Sequence, residues 1–402
     1  MTHSKQALYF IFLTVFIDAV GIGIIVPVMP ELIMELTGEG ISSAAVYGGW
    51  MFFIYAFMQF FCAPIIGNLS DRYGRRPVLL FSLVSLSIDY AIMSVAPNLY
   101  WLFLGRFLAG IAGASYATAA AYIADISEPG ERAQNFGVIG AAFGVGFIIG
   151  PALGGTLGEY GTRIPFYLSA VLAFLAAIYG FFVAPETLSL DKRRSFSWKR
   201  ANPVGALMEM KQFPLVSGLL TVLFVSQLAR DIYPSIWTYY AMENFTWSES
   251  QVGYSLALVG LLLALVQGKL IRVAIPKLGE NKTLLLGLFM SFCAFVGFAF
   301  ITQTWMAYLF IFVSSLGGFI DPSIRALMSN QIDENQQGEL QGAVSCIVSF
   351  SAILSPIVMT QTFSHFTGKE KIFHFPGAPF VLAAILIFCS ILIFLKVLSR
   401  NR

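Results

Sequence analysis

Charge is what this 402-residue chain has little of. Asp, Glu, Lys and Arg make up 11% of it, against 57% hydrophobic residues, and the mean hydropathy is +0.76. A soluble domain carries roughly 25% charged residues. So few charges cannot cover a water-facing surface, which places the chain in the membrane class with the lipid bilayer as its solvent. Histidine is scarcer still, and His3, His365 and His374 show no metal-ligand spacing. The four cysteines, Cys62, Cys293, Cys346 and Cys389, lie in apolar segments with no C-x-x-C pair, and read as small buried hydrophobes. There is no P-loop, so ATP is not the expected energy source. No nucleophile–base set appears either, which makes an enzyme a remote reading and implies no cofactor. The net charge of +2 says little by itself, and no nucleic-acid partner is read from it.

What is present is a series of apolar windows of about 20 residues, recurring roughly a dozen times. The expected spans are 7–33, 45–67, 77–97, 99–121, 134–158, 164–184, 214–240, 250–271, 283–302, 304–328, 340–363 and 378–398. The first is too long for the core of a cleavable signal and ends without a small-residue cleavage site, so it reads as a span that serves as its own insertion signal. Most connections are short. The exception, residues 186–212, is polar and basic, with Lys192, Arg193, Arg194, Lys199 and Arg200. It divides the chain into an expected six-helix bundle at 1–185 and a second at 213–402.

Counting Lys269 and Lys396 at the ends of their spans, about 18 of the 24 Lys and Arg fall in alternate loops and at the two termini, whereas Arg163, Lys369 and Lys371 lie on the other side. The basic side is expected to be cytoplasmic, with both termini inside. The outer loop after the first span carries Glu31, Glu35 and Glu39 instead.

A single offset of 205 residues relates the halves. It carries Gly74 to Gly279, Gly137 to Gly342 and Pro151 to Pro356. Around Gly279, Lys277-Leu278-Gly279-Glu280-Asn281-Lys282 is a degraded copy of the charged run Gly67-Asn68-Leu69-Ser70-Asp71-Arg72-Tyr73-Gly74-Arg75-Arg76-Pro77. Duplication explains three matches at one offset. It leads to two facing, pseudo-symmetric bundles with a substrate site near the midplane.

Ionisable residues inside the apolar windows are the candidate functional groups, because hydrocarbon penalises them unless they pair or face water. The first half has Asp18, Asp89 and Arg106. The second has Arg230 and Asp231 in the seventh span, and Asp321 and Arg325 four apart on one face of the tenth. A carboxylate exposed alternately to the two sides of a membrane can couple a proton gradient to movement. Asp89 reads either as such a group or as half of a structural ion pair. Arg106 reads either as its counter-ion or as a bundle stabiliser. Two acids and two bases in the second half can neutralise one another while lining a cavity, and an arginine there favours an anionic substrate group. The nearby Tyr233, Trp237, Tyr239 and Tyr240 read as an interfacial belt more than as a stacking surface.

The run Gly67–Pro77 resembles the signature loop between the second and third helices of the major facilitator superfamily. Leu102-x-x-x-Arg106-x-x-x-Gly110 is similar to its fourth helix, Gly137-x8-Gly146-x3-Gly150-Pro151-x2-Gly154-Gly155 to its antiporter signature, and Pro185-Glu186-Thr187 to the close of its sixth helix. Asp18-Ala19-Val20-Gly21-Ile22-Gly23 with Pro27 and Pro30, Ser87–Met93, and Ala121–Ile126 resemble the tetracycline–proton antiporter branch of drug efflux pumps. The resemblance implies twelve helices and alternating access, with export of a small amphiphilic compound in exchange for protons across the inner membrane. It also implies roles in coupling for Asp18 and Asp89, and substrate contact for Gln59, for which a polar amide at a helix interface is the plain alternative.

Within the charged run, Gly67 and Gly74 are expected to permit a tight turn. Asp71 is expected to accept from helix ends of the opposite bundle and to pair with a cation such as Arg132, with Arg72, Arg75 and Arg76 completing a cytoplasmic gate. The glycines of the fifth span are expected to pack on a helix of the second bundle. The chain departs from the tetracycline branch in the second half. Its ninth-helix aspartate aligns with Ser291 and its eighth-helix histidine with Leu263, although Gln267 is retained. Asp231 and Asp321 then join the coupling candidates, and Arg230, Gln267, Asp321 and Arg325 the substrate cavity. The working unit is expected to be a monomer. Import of an organic anion, metabolite or siderophore is the rival function, and a non-transporting receptor on the same scaffold a remote one.

Overall fold

The computed structural model of the chain describes residues 3–113, 115–127, 131–196, 213–333, 336–368 and 374–399. Lys199, Arg200, Lys369 and Lys371 lie outside the described residues, as does the side chain of Arg132.

Among the described residues the fold is all-α, with twelve helices long and apolar enough to cross a membrane. They are α1 Gln6–Thr37, α2 Ile41–Tyr73, α3 Arg75–Val95, α4 Leu99–Ile126, α5 Gln134–Gly158, α6 Ile164–Val183, α7 Pro214–Phe245, α8 Glu249–Leu278, α9 Glu280–Phe300, α10 Thr304–Ser329, α11 Gln337–Thr367 and α12 Ala378–Ser399. Each expected span finds its helix. Short signals set several starts. The Asn98 side chain accepts from the Tyr100 N–H at 3.2 Å to cap α4. Pro165 and Pro214 stand in the first turns of α6 and α7, where a missing N–H costs nothing.

The helices run further than the apolar windows. At 33 residues, α2 is about 50 Å long, against a hydrocarbon core of about 30 Å, so charged turns project past it. This corrects the reading of Gly67. It lies inside α2, and a Cβ built there meets nothing within 4 Å. The turn belongs to Gly74 alone, which has φ 110° between α2 and α3. Its counterpart at the 205-residue offset, Gly279, has φ 77° between α8 and α9. Both need the positive φ that glycine adopts without a Cβ penalty. Pro151 and Pro356 both lie inside helices, as the repeat expects.

Four spans are irregular. The regular turns of α4 stop at Ala112 and resume at Ser115. In α7 the break falls at Asp231, between Pro214–Arg230 and Ile232–Phe245. Within α8 there is a π turn at Val266–Leu270, and within α10 a 3₁₀ turn at Leu316–Phe319. Such local changes of winding are frequent at functional positions. Three of them hold or adjoin residues singled out above: Asp231, Gln267 and Asp321.

The chain forms two compact units. One comprises Met1–Gly38, Ile54–Asn202 and Ser248–Ala257, and the other Glu39–Phe53, Pro203–Trp247 and Leu258–Arg402. Each unit is therefore one half of the chain plus a short segment of the other. In the second unit the start of α2 is held by Gly48 against the Tyr239 hydroxyl and by Gly49 against Thr360. Ser42 also donates to the Ser364 hydroxyl at 3.1 Å. The core of that unit corrects the aromatic belt. Trp237, Tyr239 and Tyr240 are buried, and Trp237 meets Phe298 edge-on at 5.1 Å while Tyr240 meets Phe380 at 4.7 Å. The Tyr240 hydroxyl donates to the Phe298 carbonyl at 2.5 Å. These rings build the interior because α7, α9 and α12 meet around them.

Candidate functional site

The first unit carries a buried ion pair. Asp89 on α3 is fully buried and Arg106 on α4 is 9% exposed. The Arg106 Nη2 donates to Asp89 Oδ2. Gly105 makes room for the carboxylate, since a Cβ there would lie 2.6 Å from Asp89 Oδ1. That oxygen and the Arg106 Nε have no hydrogen-bond partner. The pair is closed in charge but open in hydrogen bonding. The guanidinium also lies 5.7 Å from the centre of the Tyr55 ring, an arrangement that adds a cation–π attraction.

Tyr55 connects this pair to the other first-half candidates. It lines a cavity of about 20 Å³ with Thr14, Asp18, Ser82, Leu83 and Gly113, enough for about one water. Gln59 donates from Nε2 to the Tyr55 hydroxyl at 3.3 Å and to the Gly113 carbonyl at 2.8 Å. That carbonyl stands where the regular turns of α4 stop, so the Gln59 amide serves the broken helix as well as the cavity. The structure thus gathers Asp18, Gln59, Asp89 and Arg106 around one tyrosine. Sequence reasoning passed over Tyr55. Its position four residues before Gln59 on α2 was the available signal.

At the basic end, Arg75 is the centre of a network. Its Nη1 donates to Asp71 Oδ1 at 2.5 Å and to the Ser70 hydroxyl at 2.7 Å, and its Nε to Asp125 Oδ2 at 3.2 Å. The Arg75 N–H donates to Glu186 at 2.9 Å. Glu186 also accepts from the backbone of Thr187 and Leu188, and the Thr187 hydroxyl reaches Asp125 at 3.3 Å. Tyr122 donates to the Pro185 carbonyl at 2.7 Å, and Arg76 donates to the Phe181 carbonyl. The Arg194 N–H closes onto the Asp71 carbonyl at 3.0 Å. Gly74 has no room for a side chain, because a Cβ would collide with the Glu186 carboxylate. The network ties α2, α3, the end of α4 and the segment after α6. Arg72 instead lies over the Tyr73 ring at 5.1 Å. Asp125 and Glu186 are members that were not foreseen as such, although both stood in recognised motifs.

The glycine face of α5 differs from its expected role. Its main partner is α1 of the same half. A Cβ at Gly146 would lie 2.7 Å from the Ala19 Cβ, one at Gly150 2.6 Å from the Val20 carbonyl oxygen, and one at Gly154 2.7 Å from the Ile24 Cα. The start of α8, which belongs to the same compact unit, also reaches this face. Gly155 abuts the Glu249 carbonyl, and Gly253 abuts that of Pro151. Gly137 takes no part, since a Cβ there meets nothing within 4 Å. Just past α5, Glu159 accepts from the Ser248 hydroxyl at 2.8 Å. Hydrogen bonds from Ser248 and Ser250 hold its carboxyl below the usual range.

In the second unit the four charges do not pair two by two. Arg230 donates from Nη2 to Asp321 at 3.1 Å, at the break of α7 and just after the 3₁₀ turn of α10. Asp231 accepts from Gln227 at 2.8 Å, and Arg325 donates to Gln341 on α11 at 3.1 Å. Asp321 and Arg325 share a helix face without a direct bond, because Arg230 takes the carboxylate and Gln341 the guanidinium. Arg230 Nη1 and Asp231 Oδ2 have no hydrogen-bond partner. Gln267 is exposed on the π turn and packs beside Gly318 through its Cγ.

Residues 11–356 and 219–402 match the family model of the Major Facilitator Superfamily. The chain is 39% identical to the tetracycline resistance protein, class C, of Escherichia coli over 90% of both chains. It is 27% identical to multidrug resistance protein 2 of Bacillus subtilis over 88% of both. Among solved structures, a bacterial homolog to the human lysosomal transporter Spinster, inward-facing and occupied, superposes with a TM-score of 0.80 at 14% identity, covering 100% of this chain and 98% of the other.

Proposed function

The chain belongs to the major facilitator superfamily, and from that premise we propose that it is a proton-coupled antiporter exporting a small amphiphilic organic compound. The observation that carries the reading is the buried Asp89–Arg106 pair next to Tyr55, which lines a cavity with Asp18 and accepts from Gln59. A structural ion pair needs no cavity with a second carboxylate at its side and leaves no carboxylate oxygen unpartnered. A coupling site needs both, because the carboxylate must exchange its arginine for a proton delivered through water. When the proton arrives, Asp89 is neutral and Arg106 loses its counter-charge. The cost of that unpaired cation favours the conformation in which Arg106 meets water or substrate. Asp18 lines the cavity next to the same pair, with Asp231 and Asp321 as the second-half groups able to follow it.

The Arg75 network is read as a cytoplasmic latch, since it locks the inner ends of α2, α3 and α4 to the segment after α6. With the basic loops inside, both termini are cytoplasmic and the working unit is a monomer in the inner membrane. The 39% identity to a tetracycline resistance protein supports export of a drug-like compound. Ser291 and Leu263 stand where the tetracycline branch has an aspartate and a histidine, which supports a substrate other than tetracycline itself. A membrane potential adds about 2.3 kcal/mol per charge moved per 100 mV, so exchange with a net charge supports steep export.

A second reading, proton-coupled import of an organic anion, is favoured by Arg230, whose Nη1 is buried and without a partner. Energised inside-out vesicles with a pH-sensitive dye separate the two. Tetracyclines, cationic drugs and organic anions are added to the wild type and to Asp89→Asn. Proton efflux evoked by a drug and lost in the variant is the expected result. Silence toward drugs with a response of opposite sign to anions moves the function to import.

A further inference from the structure

Glu249 has no part in the reading above, yet it is placed like a working residue. It opens α8 and lies on the glycine face of α5, only 7% exposed. Gly155 abuts its backbone, and a Cβ at Gly158 would lie 2.8 Å from its carboxyl carbon and 2.6 Å from Val28 of α1. The carboxyl thus fills space that only glycine leaves. Its Oε1 is buried and has no hydrogen-bond partner.

The charged groups facing it are Glu31 of α1 and Glu159 beyond α5, both acids. Glu159 is engaged by Ser248 and Ser250. Arg163, the basic residue of the loop between α5 and α6, is taken up by Glu35 and by the carbonyls of Ser94 and Ala96. A carboxylate with two like charges in view and one oxygen sealed from any donor is poorly held, whereas a neutral carboxyl fits the same space.

We propose that Glu249 is a proton-binding site of the α5–α8 contact: the packed contact holds the carboxyl with its proton, and the proton passes to water when α8 parts from Gly155 and Gly158. No bond other than carboxyl O–H changes, and the acceptor is solvent. On the orientation proposed above this end faces outward, so the site binds its proton from the outer side. That use rests on the antiport reading, whereas the site itself does not.

The test reads the contact directly. Thr156 and Tyr254 meet across it, their hydroxyls 3.1 Å apart. In full-length protein otherwise free of cysteine, Thr156→Cys and Tyr254→Cys are bridged by a short bifunctional thiol reagent from about pH 5 to about pH 8. Cross-linking falls as pH rises while Glu249 is present, and is high and independent of pH in Glu249→Gln. Glu249→Ala removes the same titrating group and also loses the pH dependence, so it serves if the glutamine variant does not fold. A flat profile with Glu249 present, or the unaltered profile in either variant, overturns the proposal. Since no transport is measured, failure of antiport with an intact cross-linking response removes the exchange reading alone.

Discussion

Substituting alanine along α5 should change sign with position, and Gly150 against Gly144 is the sharpest comparison. Both glycines lie within one helix. Gly→Ala in a helix interior gains about 1 kcal/mol from propensity at either site. At Gly144 a Cβ meets nothing within 4 Å, so that gain stands alone. At Gly150 the Cβ would lie 2.6 Å from the Val20 carbonyl oxygen, 3.0 Å from the Gly23 Cα and 3.1 Å from the Val20 Cα. All three are backbone atoms of α1, so no rotamer change relieves them. Reaching an ordinary contact of 3.4 Å requires the helices to separate by about 0.8 Å. Overpacking of this kind costs about 1–3 kcal/mol. The two variants should therefore differ by about 1–3 kcal/mol, with Gly144→Ala at or above the parent. For a chain of this length that is a difference of about 1–4 °C in midpoint, within reach of thermal unfolding followed by size exclusion in detergent. Equal midpoints, or a Gly144→Ala protein as damaged as Gly150→Ala, would refute the assignment of α1 as the partner of this face.

Three further outcomes are expected. Arg75→Lys should lose about 1–2 kcal/mol, because one ammonium cannot serve Asp71, Ser70 and Asp125 together; thermal stability equal to the parent would mean that the network is incidental. Asp89→Asn alone leaves Arg106 buried without its counter-charge, at about 3–5 kcal/mol, and Asp89→Asn with Arg106→Gln should recover most of that loss in a double-mutant cycle; strictly additive losses would dissolve the pair. Glu159, held below the usual carboxyl range, stabilises the α5–α8 contact fully above that range and loses the contribution as pH falls through its lowered value. Ser248→Ala should move this acid loss to higher pH, read as a shifted acid limb of midpoint against pH, and an unshifted limb would discount the hydrogen bond.

Hydropathy made the spans legible, because twenty apolar residues in a row have few other uses. The repeat was legible in Gly74 and Gly279, since a turn that needs positive φ constrains residue type at both copies. Partner choice was not legible. A glycine stripe announces a close neighbour without naming it; a helix of the second bundle was expected, and the structure gives α1 with the start of α8. Tyr233 to Tyr240 looked interfacial because Tyr and Trp are at home both in membrane belts and in cores, and only the packing of Phe298 and Phe380 separates the two. The spacing of Asp321 and Arg325 placed them on one face without naming their partners, and a residue 91 positions earlier took the acid. Asp125 and Glu186 stood in recognised motifs just past the ends of apolar windows, where a carboxylate is ordinarily solvated and nothing local ties it to Arg75.

The two exchanged segments bear on how such a chain can be recombined. Residues 39–53 belong with the second unit and residues 248–257 with the first. A chimera with a relative, joined in the long central loop, would bring together halves whose small-residue contacts were selected apart. Gly49 would face a stranger at the place of Thr360, and Gly155 one at the place of Glu249. Crossovers near residues 38, 53, 247 and 257 would instead carry each captured segment with its host. Each half of the chain thus carries a segment whose packing partners lie in the other half, so a transferable piece of this fold is a compact unit and not a stretch of sequence.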